Sequence, residues 1–132
     1  MTMTDPIADL FTRIRNASEV GHRKTDSPHS NFREHVVELL VREGFIKEHR
    51  VTEVEGRKWL RLYLRYDEDG QPLIQHLKRV SKPGRRVYHD SRSMPRVRRG
   101  LGVGIYTTNM GILSDRECRD KRVGGECLGQ VW

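Results

Sequence analysis

Residues 44–66 have the sequence GFIKEHRVTEVEGRKWLRLYLRY, and here the spacing of apolar residues changes from a helical period to a period of two. The alternating polarity predicts two strands, at 45–54 and 58–66, joined by a turn at Glu55-Gly56. One face of the second strand carries Leu60, Leu62, Leu64 and Tyr66. Alternation of this kind is typical of a half-buried strand, so the segment predicts a β-hairpin with one face on a core.

The chain before this hairpin begins with an amphipathic helix. Asp5 is suited to cap it, Pro6 suits its first position, and its apolar pattern ends after Ala17. Its apolar face is formed by Ile7, Leu10, Phe11 and Ile14. Residues 18–30 are polar, and they predict a loop that contains one short strand.

A second helix is predicted from Asn31 to Glu43. Asn31 and Glu34 resemble a capping box, in which two side chains satisfy backbone N–H groups at the start of a helix. The apolar stripe of this helix is assigned to Phe32, Val36, Leu39 and Leu40. Gly44 suits the position that ends a helix.

The acidic turn at 67–72 is the predicted boundary between two lobes, 1–66 and 67–132. The second lobe predicts strands at 73–80, 86–89, 101–107 and 126–132, a turn at 108–111 and one short helix at 115–121. Ser114 and Glu117 form a capping box for that helix. We therefore predict an α+β fold, with an N-terminal helix–strand–helix–hairpin lobe and a mainly β C-terminal lobe that contains one short helix.

Positive charge is concentrated in the second lobe. The whole chain has a net charge of +7, whereas residues 78–99 alone contain nine Lys or Arg and one acid, a local charge of +8. Of the 25 basic residues, 19 are Arg, whose planar guanidinium pairs with phosphate and stacks on bases. Charge of this kind can serve solubility alone, but its clustering favours an anion-binding face for nucleic acid.

Other classes of function have little support in the sequence. The glycines of Gly100-x-Gly102-x-Gly104 lack the spacing of a dinucleotide-binding fingerprint, and they are better suited to close backbone packing. The six histidines and two cysteines show no metal-ligand spacing, and no activated nucleophile is evident. We therefore expect no enzyme activity, cofactor, metal or small-molecule substrate. We also expect no membrane association, because no apolar stretch is long enough to span a bilayer.

The candidate RNA-binding residues of the second lobe lie in and beside the basic segment. They are Ser81, Lys82, Arg85, Arg86 and Tyr88, the turn residues Thr107, Thr108, Asn109 and Gly111, and Glu126. Short polar side chains fit an RNA groove, and Glu126 can accept hydrogen bonds from base amino groups or 2′-hydroxyls, or orient a neighbouring arginine. Alternatively, Tyr88 is a half-buried strand residue, the Thr-Thr-Asn residues are turn formers, and Glu126 is a solvated or ion-paired carboxylate.

Several short motifs, in their order and spacing, resemble the bacterial small-ribosomal-subunit protein eight family over nearly the whole chain. The residues concerned are Thr4–Asp9, Thr12–Ala17, Glu43–Ile46, Val80–Gly84, Arg86–Tyr88, Gly100–Gly102, Gly111–Arg116 and Gly124–Glu126. The resemblance implies a structural, non-catalytic protein of the cytoplasmic ribosome. It would be a primary binder of the central domain of small-subunit rRNA, would help to organise assembly and would contact neighbouring ribosomal proteins.

In the first lobe, backbone contacts to the RNA are expected from Arg13, Arg15, Asn16 and Ser30. The chain departs from the family in its second-lobe turn, which typically reads Ser-Thr-Ser-Lys-Gly but is Thr107-Thr108-Asn109-Met110-Gly111 here. Met110 removes a cation, for which Arg98, Arg99 or Arg122 are candidate replacements. The start of the second helix, at 27–32, also departs from the usual Pro-Ser-Ser-Lys-Leu pattern. A general nucleic-acid binder and a translational repressor of its own messenger remain alternative functions.

Overall fold

The computed structural model describes residues 5–132. The first half contains α1 (Pro6–Val20), β1 (Lys24–Pro28), α2 (Asn31–Arg42), β2 (Ile46–Val54) and β3 (Arg57–Leu64). The second half contains β4 (Leu77–Arg79), β5 (Tyr88–His89), a short 3-10 turn (Val97–Gly100), β6 (Val103–Thr108), β7 (Gly111–Ser114), α3 (Asp115–Lys121) and β8 (Gly125–Val131). The α+β fold with a mainly β second half is confirmed.

Helix α1 begins as the sequence predicts but continues beyond Ala17. The Asp5 carboxylate accepts a hydrogen bond from the Ala8 N–H at 3.0 Å, which satisfies a donor of the first turn. The helix ends at Gly21, whose left-handed backbone, with φ +83°, closes the last turn. The apolar pattern ends before the helix does, because the last two helical residues, Glu19 and Val20, are exposed to solvent.

Helix α2 is capped by Ser30, so the predicted capping box of Asn31 and Glu34 is wrong. The Ser30 hydroxyl accepts a hydrogen bond from the Arg33 N–H at 3.1 Å. The apolar stripe also differs at its first residue, since Phe32 is 40% exposed and Arg33 is only 6% exposed. The Arg33 guanidinium lies inside because it donates to the carbonyl oxygens of Pro6 and Pro28, at 3.3 Å and 3.0 Å.

The hairpin predicted from residues 44–66 forms the centre of the first sheet. Strand β3 pairs antiparallel with both β2 and β1, in the order β1-β3-β2. The short strand expected within residues 18–30 is β1. Leu60, Leu62 and Leu64 are buried on one face, as their alternation predicts, and α1 and α2 contribute to the same core.

The second sheet has the order β4-β8-β6-β7, with β5 also paired to β8. The strand predicted at 73–80 shortens to β4, because Gln75 and His76 donate their N–H groups to the Trp132 carbonyl instead of entering a regular ladder. The strand predicted at 86–89 likewise shortens to β5, and β7 was not predicted. The capping box of Ser114 and Glu117 is confirmed on α3.

The main hydrophobic core contains residues from both halves of the chain. It joins residues of α1, α2 and β3 to Leu77, Val103, Leu128 and Val131. Helix α1 lies directly on β8, where a side chain on Gly129 would come within 2.5 Å of the Phe11 ring. The two sheets follow the predicted division at 67–72, but one core supports both of them, so the position of each lobe depends on the other. The division into domains at residue 66 itself stays a prediction.

Candidate nucleic-acid interface

The turn between β6 and β7 is held by its own side chains. The Thr108 hydroxyl accepts a hydrogen bond from the Met110 N–H at 3.0 Å and donates to the Gly111 carbonyl at 2.9 Å. Gly111 has φ +103°, a conformation that strongly favours glycine. Asn109 and Met110 are therefore presented to solvent at the tip. Thr108 is a turn former, as one of the two interpretations of the sequence held.

Strand β8 brings Tyr88 and Glu126 beside this turn. Glu126 lies opposite Tyr88 of β5 on one side and opposite Thr107 of β6 on the other. The preceding residue must be small, because a side chain on Gly125 would come within 2.4 Å of the Thr107 carbonyl oxygen. Tyr88 is 67% exposed, so it is not the half-buried strand residue that the alternative predicted.

These residues surround one shallow depression of about 460 Å³, which we call the turn depression. It is lined by Tyr88, Thr107, Thr108, Asn109, Arg122, Val123, Gly124, Gly125 and Glu126. An exposed aromatic ring, a hydroxyl, an amide, a carboxylate and a guanidinium thus share one small surface. This combination can stack on a base and hydrogen-bond to base edges or to 2′-hydroxyls.

The carboxylate of Glu126 forms an ion pair with Arg86. Its carboxylate Oε2 lies 3.1 Å from Arg86 Nη1, and its side chain is only 14% exposed. Glu126 therefore orients Arg86, which was one of the roles considered from the sequence. The pair also reduces the positive charge that Arg86 presents.

The loop from residue 81 to residue 87 carries the candidate phosphate contacts. The N–H groups of Lys82 and Arg85 each donate to the other's carbonyl at 2.9 Å, which leaves both side chains exposed at the tip. Ser81 differs from the sequence prediction that it contacts RNA. It is fully buried, and its hydroxyl accepts a hydrogen bond from the Val87 N–H at 2.9 Å. Its side chain supports the loop and does not face a ligand.

The candidate residues of the first half lie apart from the turn depression. Arg13 and Asn16 line a separate depression of about 260 Å³ on α1. Arg13 is already paired with Asp9 at 2.9 Å, and the Ser30 hydroxyl is occupied as the cap of α2. Arg15 lines a larger depression of about 660 Å³ together with Lys78 and Lys82. The structure thus brings Arg15, and not Arg13, toward the basic segment.

Most of the charge in residues 78–99 has no local counterion. Within residues 5–132, only Arg79 and Arg86 among its nine basic residues have a carboxylate within 4.0 Å, from Asp5 and Glu126 respectively. The others are Lys78, Lys82, Arg85, Arg92, Arg96, Arg98 and Arg99. Uncompensated charge of this density attracts a polyanion.

Comparison with known proteins shows the family of this chain. A sequence model of the family described as Ribosomal protein S8 matches residues 5–132. The chain belongs to this family. Small ribosomal subunit protein uS8 of Thermus thermophilus is 49% identical over 137 aligned positions, covering 98% of this chain and 99% of the relative. The proteins of the same name from Lysinibacillus sphaericus and Streptococcus pyogenes are 47% and 48% identical over the full length of both chains.

The metal-ligating side chains, the cysteines and the helices of this S8-family chain bear on other kinds of site within residues 5–132. Among residues 5–132, no group of three His, Cys, Asp or Glu side chains is placed to hold a metal ion. Both cysteines are free and buried, and burial raises the pKa of the Cys118 thiol to about 11. None of the helices in this range is long and apolar enough to cross a membrane.

Tyr106 and Gly125 shape the interface, although neither is among the candidate residues predicted from the sequence. Tyr106 is buried beneath β5, where its hydroxyl meets His89 Nδ1 at 3.0 Å, and burial raises the pKa of that hydroxyl. Gly125 permits β6 and β8 to approach. The signal for Gly125 was the Gly124-Gly125 pair ahead of a predicted strand, which marks close backbone approach. The signal for Tyr106 was its place among the apolar residues of β6.

Proposed function

We propose that this chain is a structural, non-catalytic constituent of the small ribosomal subunit in the cytoplasm. In this proposal it is a primary binder of the central domain of small-subunit rRNA and organises assembly there. The observation that carries the proposal is the turn depression, with short polar groups and an exposed Tyr88 next to uncompensated cations. The names of the relatives, which are small ribosomal subunit proteins, support the same conclusion.

Recognition and affinity are divided between two surfaces in this proposal. Thr107, Asn109 and Tyr88 supply hydrogen bonds and stacking in a shallow groove, where they discriminate a folded RNA from a regular duplex. Lys82 and Arg85 bind phosphates and contribute most to salt-dependent affinity. Glu126 holds Arg86 at the edge of the groove.

The first half of the chain adds further contacts in this proposal. Arg15 is exposed beside Lys78 and Lys82, so it extends the phosphate-binding surface onto α1. Arg13 and Asn16 contribute backbone contacts from a neighbouring depression. The remaining surface of this half is left for neighbouring ribosomal proteins.

A binding titration tests the proposal. The purified protein is titrated with the RNA of the small-subunit central domain and with a length-matched scrambled duplex, at two salt concentrations. We expect the ribosomal RNA to bind at least ~10³-fold more tightly, which is the low end for specific nucleic-acid recognition. Equal and steeply salt-dependent binding to both RNAs would contradict the proposal.

A general nucleic-acid binder is the second candidate, because uncompensated cations alone give affinity for any polyanion. This candidate predicts the second outcome of the titration. It also predicts that variants of Thr107 and Asn109 leave the affinity unchanged, since short polar groups add little to nonspecific binding. The translational-repressor alternative stays a hypothesis, and binding of a messenger segment in competition with the ribosomal RNA would test it.

A further inference from the structure

Arg122 occupies a backbone position that suits glycine. It ends α3 in the left-handed conformation, with φ +56° and ψ +44°. A side chain with a Cβ is strained there, and helices usually place glycine at this point. The Arg122 side chain is exposed, and among residues 5–132 no carboxylate lies within 4.0 Å of it. Neither backbone conformation nor an ion pair among residues 5–132 therefore favours an arginine at this position.

The position of Arg122 connects two depressions of the surface. It lines the turn depression with Thr107, Thr108 and Asn109. It also lines a second depression of about 650 Å³, which we call the arginine depression. The residues of the arginine depression are Ser91, Arg92, Arg119 and Arg122. A strand of nucleic acid that leaves the turn depression past Arg122 therefore enters a site lined by three guanidinium groups.

Two carboxylates near the arginine depression, those of Asp115 and Asp90, are already engaged. Asp115 is buried, holds Arg119 Nη2 at 2.6 Å and accepts the Gly104 N–H at 3.0 Å. Asp90 accepts the backbone N–H groups of Ser93 and Arg92, and these bonds hold the pKa of its carboxyl below its usual range. Arg92, like Arg122, has no carboxylate within 4.0 Å among the described residues. The depression therefore keeps a net positive charge.

The guanidinium of Arg119 is paired on one side only. Its Nη1 is buried and has no hydrogen-bond acceptor within residues 5–132, whereas Asp115 fixes the opposite side of the guanidinium. A buried donor without an acceptor is unfavourable.

We propose that the arginine depression binds a phosphodiester group of the RNA backbone, one strand segment beyond the nucleotides that contact the turn depression. Arg122 and Arg92 supply planar, charged donors that pair with two phosphate oxygens, and Arg119 is preset by Asp115. Arg122 also places a positive charge beside the turn, where the family typically has Lys and this chain has Met110. This inference rests on the proposed function, because it assumes that RNA occupies the turn depression.

Two substitutions separate the charge of Arg122 from its backbone. R122Q removes the charge and keeps the strained backbone, whereas R122G removes the charge and relieves the strain. K121Q removes the charge of the adjacent exposed residue, which lines neither depression, and serves as the matched control. Each variant is titrated with the central-domain RNA over a range of salt concentrations, and its melting temperature is measured.

We expect R122Q and R122G to lose about tenfold in RNA affinity, the low end for a charged hydrogen bond. Their salt slopes should fall by about one unit relative to wild type. R122G should melt at an equal or higher temperature than wild type, so its weaker binding cannot come from unfolding. Salt slopes that match K121Q in both variants would overturn the proposal.

A second comparison tests whether the arginines share one phosphate. R92Q should weaken binding as R122Q does, and the R92Q/R122Q double variant should lose less than the sum of the two single losses. Full additivity would overturn the shared site.

If wild-type protein itself binds the central-domain RNA no better than a scrambled duplex, the proposed function fails. If wild type binds the central-domain RNA specifically but the Arg122 variants change neither its affinity nor its salt slope, only the proposal of the phosphate site fails.

Discussion

The two halves of the molecule contain almost the same number of basic residues but use them differently. Residues 1–66 have 12 basic and 10 acidic residues, and residues 67–132 have 13 and 8. In the first sheet Arg61 is paired with Asp26 at 3.0 Å and Arg50 with Glu48 at 3.3 Å. In residues 78–99 most cations have no such partner among the described residues. The clustering of cations that lack a counterion, more than the number of cations, marks the surface that can bind RNA.

The largest effect should come from the backbone contact that holds the turn depression together. In G125A the new Cβ would lie 2.4 Å from the Thr107 carbonyl oxygen and 2.8 Å from Thr108 Cγ2. Strands β6 and β8 must then separate locally, so we expect about 3 kcal/mol of lost stability, the upper range for overpacking. Urea unfolding measures the loss, and RNA affinity should fall with it.

The matched control for G125A is G84A, in the exposed loop of the same half. A Cβ on Gly84 would meet no atom within 4 Å. G84A should therefore change the free energy of unfolding by less than about 0.5 kcal/mol, as surface substitutions commonly do. Equal stability of G125A and G84A would show that the close approach of β6 and β8 is not required.

The next effect distinguishes the two threonines of the turn. Thr108 closes the turn with its hydroxyl, whereas the Thr107 hydroxyl has no hydrogen-bond partner among residues 5–132. We expect T108V to cost about 2 kcal/mol of RNA binding and T107V about 1 kcal/mol, within the range for a specific contact. T108S keeps the hydroxyl and should restore binding. Losses that were equal for cognate and scrambled RNA would argue against specific recognition by this turn.

A smaller effect compares a free cation with a paired one in the same loop. Arg85 has no carboxylate within 4.0 Å among the described residues, whereas Arg86 is paired with Glu126. R85A should lower the salt slope of RNA binding by about one unit, the value for one phosphate contact. R86A should lower it by less, because Glu126 already neutralises part of that charge. Equal salt slopes for R85A and R86A would show that the ion pair with Glu126 does not weaken the contribution of Arg86 to RNA binding.

The sequence predicted the elements that have strong local signals. The alternation of residues 58–66 and the cap at Asp5 were sufficient to locate β3 and the start of α1, and the Ser114–Glu117 capping box located α3. The cap of α2 was placed one residue late, because Ser30 and Asn31 are both good caps and only tertiary contacts of Arg33 choose between them. Local patterns fix an element, whereas register depends on what the element packs against.

The candidate site was predictable in composition but not in arrangement. Thr107, Asn109 and Tyr88 lie around one depression, as their chemistry suggested. Nothing local reveals that Ser81 is buried, because its environment is created by the loop that returns to Val87. The pairing of Arg86 with Glu126 joins residues far apart in the chain through β8, so only the sheet register brings them together.

The smallest effect should come from an ion-paired carboxylate of the first half. Glu34 lies between His29 and His49, with Nε2 distances of 2.8 Å and 3.4 Å, and the His29 hydrogen bond is the main reason that the pKa of Glu34 is lowered. A lowered pKa means that the ionised carboxylate stabilises the fold above its ordinary value of 4.5, and that this contribution is lost as the pH falls through the folded-state pKa. E34Q should therefore be less stable than wild type at neutral pH, by at most about 0.5 kcal/mol because the pair is partly exposed, and the difference should disappear in acid. Urea unfolding of both proteins between neutral and acidic pH measures this, while RNA affinity at neutral pH should be unchanged. A difference that persisted at the lowest pH would mean that Glu34 acts through packing and not through its charge. Weakened RNA binding would extend the interface from α1 to the surface around Glu34.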